Sequence, residues 1–259
     1  MRVSGHTDAQ ICEAAAIEFF DARARRAHDP TQPGVTMLQD AQASLAHARD
    51  QVERQALLDT LQARGKPVRA TLDVGCGAGR ICFAMGEHLG TRYLGVDGAP
   101  SLVAAARARV AEEGAEGRDL RFGVQDLSQP GLIEQARPVA PFDLVLCSGI
   151  LIYLNDASVQ RLLTEVVALA APGATLVLRE PVGIAERLTL VNHWSDELGA
   201  AYNAAYRTRA ELQAMVMQAA GPRLAAWQER WLYDDPALNN RDETRQAWMV
   251  ATLGEHADA

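Results

Sequence analysis

Residues 71–80 read Thr71-Leu72-Asp73-Val74-Gly75-Cys76-Gly77-Ala78-Gly79-Arg80. An apolar run enters three glycines at alternate positions, the pattern of a strand that turns tightly into a helix. Glycine there has two physical uses. It adopts backbone angles that a side chain forbids. It also leaves peptide groups bare for a ligand, near the positive end of the following helix. A tight turn with no ligand uses glycines as well, so the next segment matters. Arg92-Tyr93-Leu94-Gly95-Val96-Asp97-Gly98 is a second short apolar strand ending in an acid. An acid about 20 residues after a glycine turn is placed to hydrogen-bond ribose hydroxyls in a βαβ unit. The alternative for Asp97 is to cap a helix starting near Pro100.

The glycine spacing separates two ligand classes. A dinucleotide fingerprint needs glycines at the first, third and sixth positions. Counted from Gly75, the third is Gly77, but the sixth is Arg80; the remaining glycine, Gly79, comes one position early. On the stretches LDVGCGAGR and LGVDGAP the chain resembles the class I S-adenosylmethionine-dependent methyltransferases, over roughly residues 68–180. The resemblance implies an α/β, Rossmann-like fold. Its seven-stranded, mostly parallel sheet carries helices on both faces and has an antiparallel last strand. It implies S-adenosyl-L-methionine as cofactor and S-adenosyl-L-homocysteine as product. It also implies site roles. Asp73 orients the turn and approaches the methionine amino group. Gly75, Gly77 and Gly79 give close backbone contact, with Cys76 packed beneath. Asp97 and Gly98 border the ribose. Gln125, Asp126 and Leu127 border the adenine, unless Asp126 is only a helix cap. Cys147 and Ser148 flank the methionine.

Composition agrees with a globular enzyme domain. The chain has 259 residues, 48% hydrophobic and 22% charged, enough for one large α/β domain with additions. A net charge of −8 argues against broad nucleic-acid binding, which demands basic surface. Residues 1–10 lack the apolar core of a secretory signal, and no stretch approaches the ~20 apolar residues of a membrane span. A cytoplasmic location and no membrane partner are expected. Cys12, Cys76, Cys82 and Cys147 lack the short paired spacing of a metal set, so no metal is expected.

Two regions are expected: an N-terminal helical extension, residues 1–66, and a cofactor-binding domain, residues 67–259. Within the extension, helices are expected at residues 9–27 and 37–63, separated by a turn at Pro30, Pro33 and Gly34. From residue 68 strands and helices alternate, which indicates a parallel sheet covered on both faces. Helices are expected at 80–89, 101–113, 129–136 and 157–170, and strands at 69–74, 93–96, 120–124, 142–147, 175–179, 225–232 and 247–253. Thr208 to Glu211 spells a capping box.

Methyl transfer from a sulfonium is an in-line displacement, so the protein must align the groups and exclude water. Three regions are candidates for the acceptor side. Tyr153 follows the fourth strand, where many small-molecule methyltransferases carry a His; it orients a substrate or packs under a helix. Glu180 ends the fifth strand and is a substrate ligand, a base or a salt-bridge partner. Residues 182–207 are long for a connection and are expected to form a helical lid. They include His193, a candidate base or a packed lid residue, as well as Tyr202 and Tyr206. Arg187, Arg207 and Arg209 meet an anionic substrate or are solvated. The function expected is transfer to an oxygen or nitrogen of a small molecule. A protein N-terminal amine as acceptor, or a non-catalytic cofactor-binding regulator, are the alternatives. Oligomeric state is not readable.

Overall fold

The computed structural model describes residues 1–5, 9–32, 35, 43–115, 117–195, 200–239 and 241–255. In chain order these form β1 (Arg2–Ser4), α1 (Glu13–Arg26), α2 (Ala43–Arg64), β2 (Ala70–Val74), α3 (Arg80–Ala84), β3 (Arg92–Asp97), α4 (Pro100–Glu113) and β4 (Asp119–Val124). There follow α5 (Leu132–Ala136), β5 (Phe142–Ser148), α6 (Asp156–Leu169), β6 (Ala170–Gly183), β7 (Leu188–Ser195), β8 (Ala200–Tyr206), α7 (Arg209–Ala220), β9 (Leu224–Trp231) and β10 (Thr244–Leu253).

Seven strands form the main sheet in the order β4-β3-β2-β5-β6-β10-β9. The first five run parallel, and β10 lies antiparallel to both β6 and β9. The central strands are covered on both faces, and every residue of β2 is buried. One face packs Leu72, Val74, Leu94, Val96 and Val145 against α6 and α7. The other packs Tyr93, Leu144, Leu146 and Trp248 under α2 and α3. Each such Leu or Val contributes about 1.5–3 kcal/mol by leaving water. Because all five parallel strands point the same way, their carboxyl ends line up along one edge, where ligands of open α/β sheets sit.

The capping box forms. The Thr208 hydroxyl accepts from the Glu211 amide at 3.2 Å, and the Glu211 carboxylate accepts from the Thr208 amide at 2.8 Å. Two helices are shorter than expected. The helix after the glycine turn stops at Ala84 and continues as a 3₁₀ turn over Gly86–Leu89. The Arg118 guanidinium lies against Gly86. The helix expected at 129–136 begins only at Leu132, after Gly131. Pro33, Gly34 and residues 37–42 lie outside the described residues.

The expected helical lid is corrected. Residues 188–206 form two antiparallel strands, β7 and β8, with residues 196–199 outside the described set, and β1 adds a third strand beside β7. The pattern has a period of two rather than 3.6. Leu188 and Leu190 on β7, and Tyr202, Ala204 and Tyr206 on β8, enter one apolar cluster, with Phe19 and Phe20 of α1 packed on it. The small sheet therefore carries both a piece of the N-terminal segment and the connection after β6.

Candidate functional site

Two adjoining cavities lie at the carboxyl edge of the main sheet. They share Gly75, Gly77, Ser148, Gly149 and Tyr153, so the glycine turn after β2 and the end of β5 form their common floor. Gly75, Gly77 and Gly79 take φ of 78°, 55° and 79°, in the left-handed region that favours glycine. At Gly75 space is also short: a Cβ there would stand 2.8 Å from the Ile150 Cβ.

The smaller cavity is the more apolar. Ile17 and Phe20 of α1, Leu102 of α4 and Leu127 wall it, with Asp97, Gly98 and Asp126 at its polar end. Asp97 ends β3 and holds the turn together. Its carboxylate accepts from the Gly77 amide at 2.9 Å and the Ala99 amide at 2.8 Å. Burial raises its pKa against the pull of those two donors. Asp97 thus braces the approach to α4, whose N-cap is Ala99, and lines the smaller cavity. Asp126 likewise takes two donors from Ser128 on Oδ1; Oδ2 accepts from no group among the described residues. Gln125 lines neither cavity; its side-chain amide donates to the Asp126 carbonyl at 2.9 Å.

α1 lies over this cavity as a roof, held at several points. Ile11 and Asn155 exchange two hydrogen bonds, the Asn155 amide donates to Glu13 at 2.7 Å, and Asp21 accepts from the Ser101 amide at 2.7 Å. Ile17 packs where Gly98 has no side chain; a Cβ there would meet Ile17 at 2.8 Å. Phe20 stands edge-on to Tyr153, ring centroids 5.3 Å apart.

The larger cavity opens from the same floor on the side of β6 and β10. Its wall is polar. It carries Arg49 of α2, Arg80 of α3, Arg179 of β6 and Arg245 of β10, with Asp73, Tyr153, Tyr202, Tyr206 and Asn239. Tyr202 and Tyr206 are hydrogen-bonded hydroxyl to hydroxyl at 2.9 Å, and Tyr153 stands edge-on to Tyr202. Burial pushes the Tyr153 and Tyr202 phenols well up, so they stay protonated and act as hydrogen-bond donors.

Beneath this wall sits an ionic lattice. Glu53 of α2 is fully buried, 2.8 Å from Arg80 and 3.7 Å from Arg179, and accepts from the Ser148 hydroxyl. Burial opposes its ionisation, yet Arg80 and Arg179 bring its pKa below the ordinary value. Asp50 also pairs with Arg80. Asp73 is buried next to it, and burial pushes its carboxyl up to about 6 even though Tyr93 donates to it at 2.6 Å.

Several expected residues stand apart from the two cavities. Gly79 lines neither; it caps α3, where Phe83 and Phe122 leave no room for a Cβ. Cys76 lines the larger cavity as a buried thiol. Cys147 lies deeper, beside Glu53 and Asp73 in a small internal void. Glu180 is fully buried and lines neither cavity. Its Oε1 accepts from the Ile150 and Leu151 amides, both at 3.0 Å, while Oε2 has no partner among the described residues. Burial pushes its pKa up to about 7. His193 pairs across the small sheet with Tyr202, half-buried, and lines neither cavity. Arg187 and Arg207 are structural: both pair with Asp156, and Arg207 also donates to the carbonyls of Leu151 and Leu154. Arg209 pairs with Glu229 and stacks over Trp231. No group of His, Cys, Asp and Glu among the described residues is arranged to hold a metal, and no described helix is long and apolar enough to cross a membrane.

Sequence reasoning missed Arg179. It singled out Glu180, the acid at the strand end. Successive side chains on a strand point to opposite faces, so one of the pair faces the cavity and the other faces away. That alternation was the available signal. Arg49 and Arg245 carry no comparable signature, because they come from segments far apart in the chain, while Arg80 closes the glycine motif itself.

Residues 72–176 match a family model described as a methyltransferase domain. The chain is 36% identical over 88 residues to an aklanonic acid methyltransferase of Streptomyces sp. (strain C5), covering 33% of this chain and 37% of that protein. It is 35% identical over 106 residues to a ubiquinone biosynthesis O-methyltransferase of Maricaulis maris, covering 41% and 38%. The chain thus spans well under half the length of these relatives. Its fold superposes on the crystal structure of magnesium protoporphyrin IX methyltransferase from Synechocystis with bound S-adenosylmethionine. The TM-score is 0.59 at 18% identity, over 95% of this chain and 99% of that one.

Proposed function

We propose, from the match of residues 72–176 to a methyltransferase domain and the shared fold, that this chain is a class I S-adenosylmethionine-dependent methyltransferase that moves a methyl group from S-adenosyl-L-methionine to an oxygen or nitrogen of a small molecule. The observation that carries this reading is the pair of cavities meeting at Gly75, Gly77, Ser148, Gly149 and Tyr153. One has the character of a nucleoside site, and the other is a polar chamber opening from the same floor.

The residues present fit the cofactor. The glycine turn presents bare backbone at Gly75 and Gly77 to both cavities. Asp97 stands at the end of the second strand for the ribose hydroxyls. The free oxygen of Asp126 and the apolar walls of Ile17, Phe20 and Leu127 suit an adenine. Asp73, Cys76 and Ser148 border the methionine end. When bound, the cofactor supplies an activated methyl on a sulfonium. The chain supplies position and dryness. α1 and β8 close over the two cavities and exclude water. Tyr153, at the junction, offers a hydroxyl from its protonated ring. Glu180 holds the Ile150–Leu151 turn in place beneath that junction. Alignment of this kind is worth roughly 7–11 kcal/mol in well-oriented reactions.

Calorimetry with S-adenosyl-L-homocysteine and with NAD tests the reading. Binding of the first and not the second is expected. Binding of NAD alone would remove the methyl-transfer assignment.

A further inference from the structure

The larger cavity contains more positive charge than the cofactor needs. The nucleoside, ribose and methionine contacts proposed above lie at the ends of β2, β3, β4 and β5. Arg179 and Arg245 lie on β6 and β10, beyond that span. Strands are spaced about 4.8 Å apart, so Arg179 stands roughly two strand widths from the glycine turn. It pairs in register with Ser148 on β5. Its Nη1 covers Gly149, where a Cβ would stand 3.0 Å away. Gly149 belongs to both cavities, which puts a guanidinium at the meeting point of cofactor and acceptor.

That guanidinium is under-satisfied. Its side chain is 11% exposed. Among the described residues its one hydrogen bond is a long one, 3.3 Å from Nη2 to the Tyr233 hydroxyl. Nε has no hydrogen-bond partner; its nearest acid, Glu53, is 3.7 Å away and is held more closely by Arg80 at 2.8 Å. A buried guanidinium with spare donors is costly unless an acceptor meets it. Its planar fork matches a carboxylate. The phenols of Tyr202 and Tyr206, and Arg245 at the rim, face the same chamber.

The wall of this cavity offers a single acid among the described residues, Asp73, whose Oδ2 accepts from the Tyr93 hydroxyl and which the proposed methionine contact already uses. Neither Glu180 nor His193 lines it. An alcohol or ammonium acceptor needs a proton removed. A carboxylate does not, since it is ionised at neutral pH.

We propose that the acceptor is a small carboxylic acid, bound as its carboxylate by Arg179 with help from Arg245, Tyr202 and Tyr206, and that the product is its methyl ester. This rests on the methyl-transfer reading above and narrows its acceptor. In the reaction a carboxylate oxygen lone pair forms the new O–CH₃ bond as the S–CH₃ bond breaks. The bonding pair returns to sulfur, the sulfonium becomes a neutral thioether, and no proton is released.

The test has a binding arm and a transfer arm. Saturation-transfer NMR on protein saturated with S-adenosyl-L-homocysteine compares benzoate with benzamide. Benzoate is expected to bind at least tenfold tighter. Arg179→Gln is expected to abolish that preference, Arg179→Lys to keep part of it, and the exposed Arg245→Gln to weaken it a few-fold without threatening the fold. Homocysteine-product affinity, read by calorimetry, should stay within threefold in all three variants. Equal binding of benzoate and benzamide, or an Arg179→Gln protein that still prefers benzoate, overturns the proposal. In the transfer arm, methyl-tritiated cofactor is offered with mixed carboxylic acids, phenols and primary amines. Label released as methanol by alkali supports the carboxylate; label that survives alkali overturns it. Failure of the parent protein to bind S-adenosyl-L-homocysteine overturns the underlying reading instead.

Discussion

The two halves of the proposed site are built in opposite ways. The half proposed for the nucleoside is backbone and apolar surface: a glycine turn, one acid per strand end, and α1 as a roof. The half proposed for the acceptor is side chains, with arginines and tyrosines from α2, α3, β6, β8 and β10 converging on one chamber. The turn of the first half depends on local sequence, since its glycines lie within five residues, although the roof from α1 comes from elsewhere in the chain. The second depends on the tertiary fold, since no two of its charged groups are neighbours in the chain.

Asp97→Ala gives the largest expected effect and the sharpest test of that contrast. It removes the acceptor for the Gly77 and Ala99 amides and the proposed ribose partner together. Each hydrogen bond to a charged group is worth about 1.5–3 kcal/mol, so S-adenosyl-L-homocysteine affinity should fall at least ~100-fold by calorimetry. Unchanged affinity would detach the glycine turn from cofactor binding and break the comparison.

Glu180→Gln tests whether this acid serves the fold. Its pKa stands at about 7 in the folded protein against an ordinary 4.5. A raised carboxyl stabilises most below its unfolded value, and that contribution is lost as pH rises through the folded value. The parent should therefore lose on the order of 3 kcal/mol from this group between about pH 4.5 and 7. The glutamine amide oxygen still accepts from Ile150 and Leu151 and cannot ionise. Thermal unfolding of the variant should decline less from pH 5 to pH 8 than the parent's. Parallel curves would exclude the buried acid as the cause.

Phe20→Ala reaches both halves, because Phe20 walls the smaller cavity and touches Tyr153. Removing a partly buried ring from the roof should cost about 2 kcal/mol of stability and weaken cofactor affinity roughly tenfold. Should only acceptor KM change, the roof belongs to the acceptor half. Tyr206→Phe is the mildest change, one hydroxyl from the chamber. A few-fold rise in acceptor KM with cofactor affinity unchanged is expected, and altered cofactor binding would blur the boundary between the halves.

The strands β2 and β3 and the glycine turn between them were legible in sequence because both are short apolar runs, one entering glycines and the other ending in an acid. The helix of α7 was equally legible from Thr208 and Glu211. The lid was not. Residues 188–206 are rich in alanine and mix apolar with polar residues, and the alternation of Leu188 and Leu190 is too short to outweigh the helical propensity of alanine. What makes them strands is pairing with each other, with β1, and with the aromatic face of α1. Cys147 and Ser148 show the same limit at single-residue scale: adjacent on β5, one turns into the interior and the other onto the shared floor, and the motif alone does not distinguish them.

The pairing of Arg2 with Leu190 also sets an order of assembly. At roughly 5–20 residues per second, synthesis needs about 10–40 s to reach β7 after the first strand has been made. By then β2 to β5, which carry the cradle, have already emerged. The glycine turn has therefore emerged well before residues 2–4 can pair with β7, and the chamber wall is completed later still, when Arg245 of β10 follows.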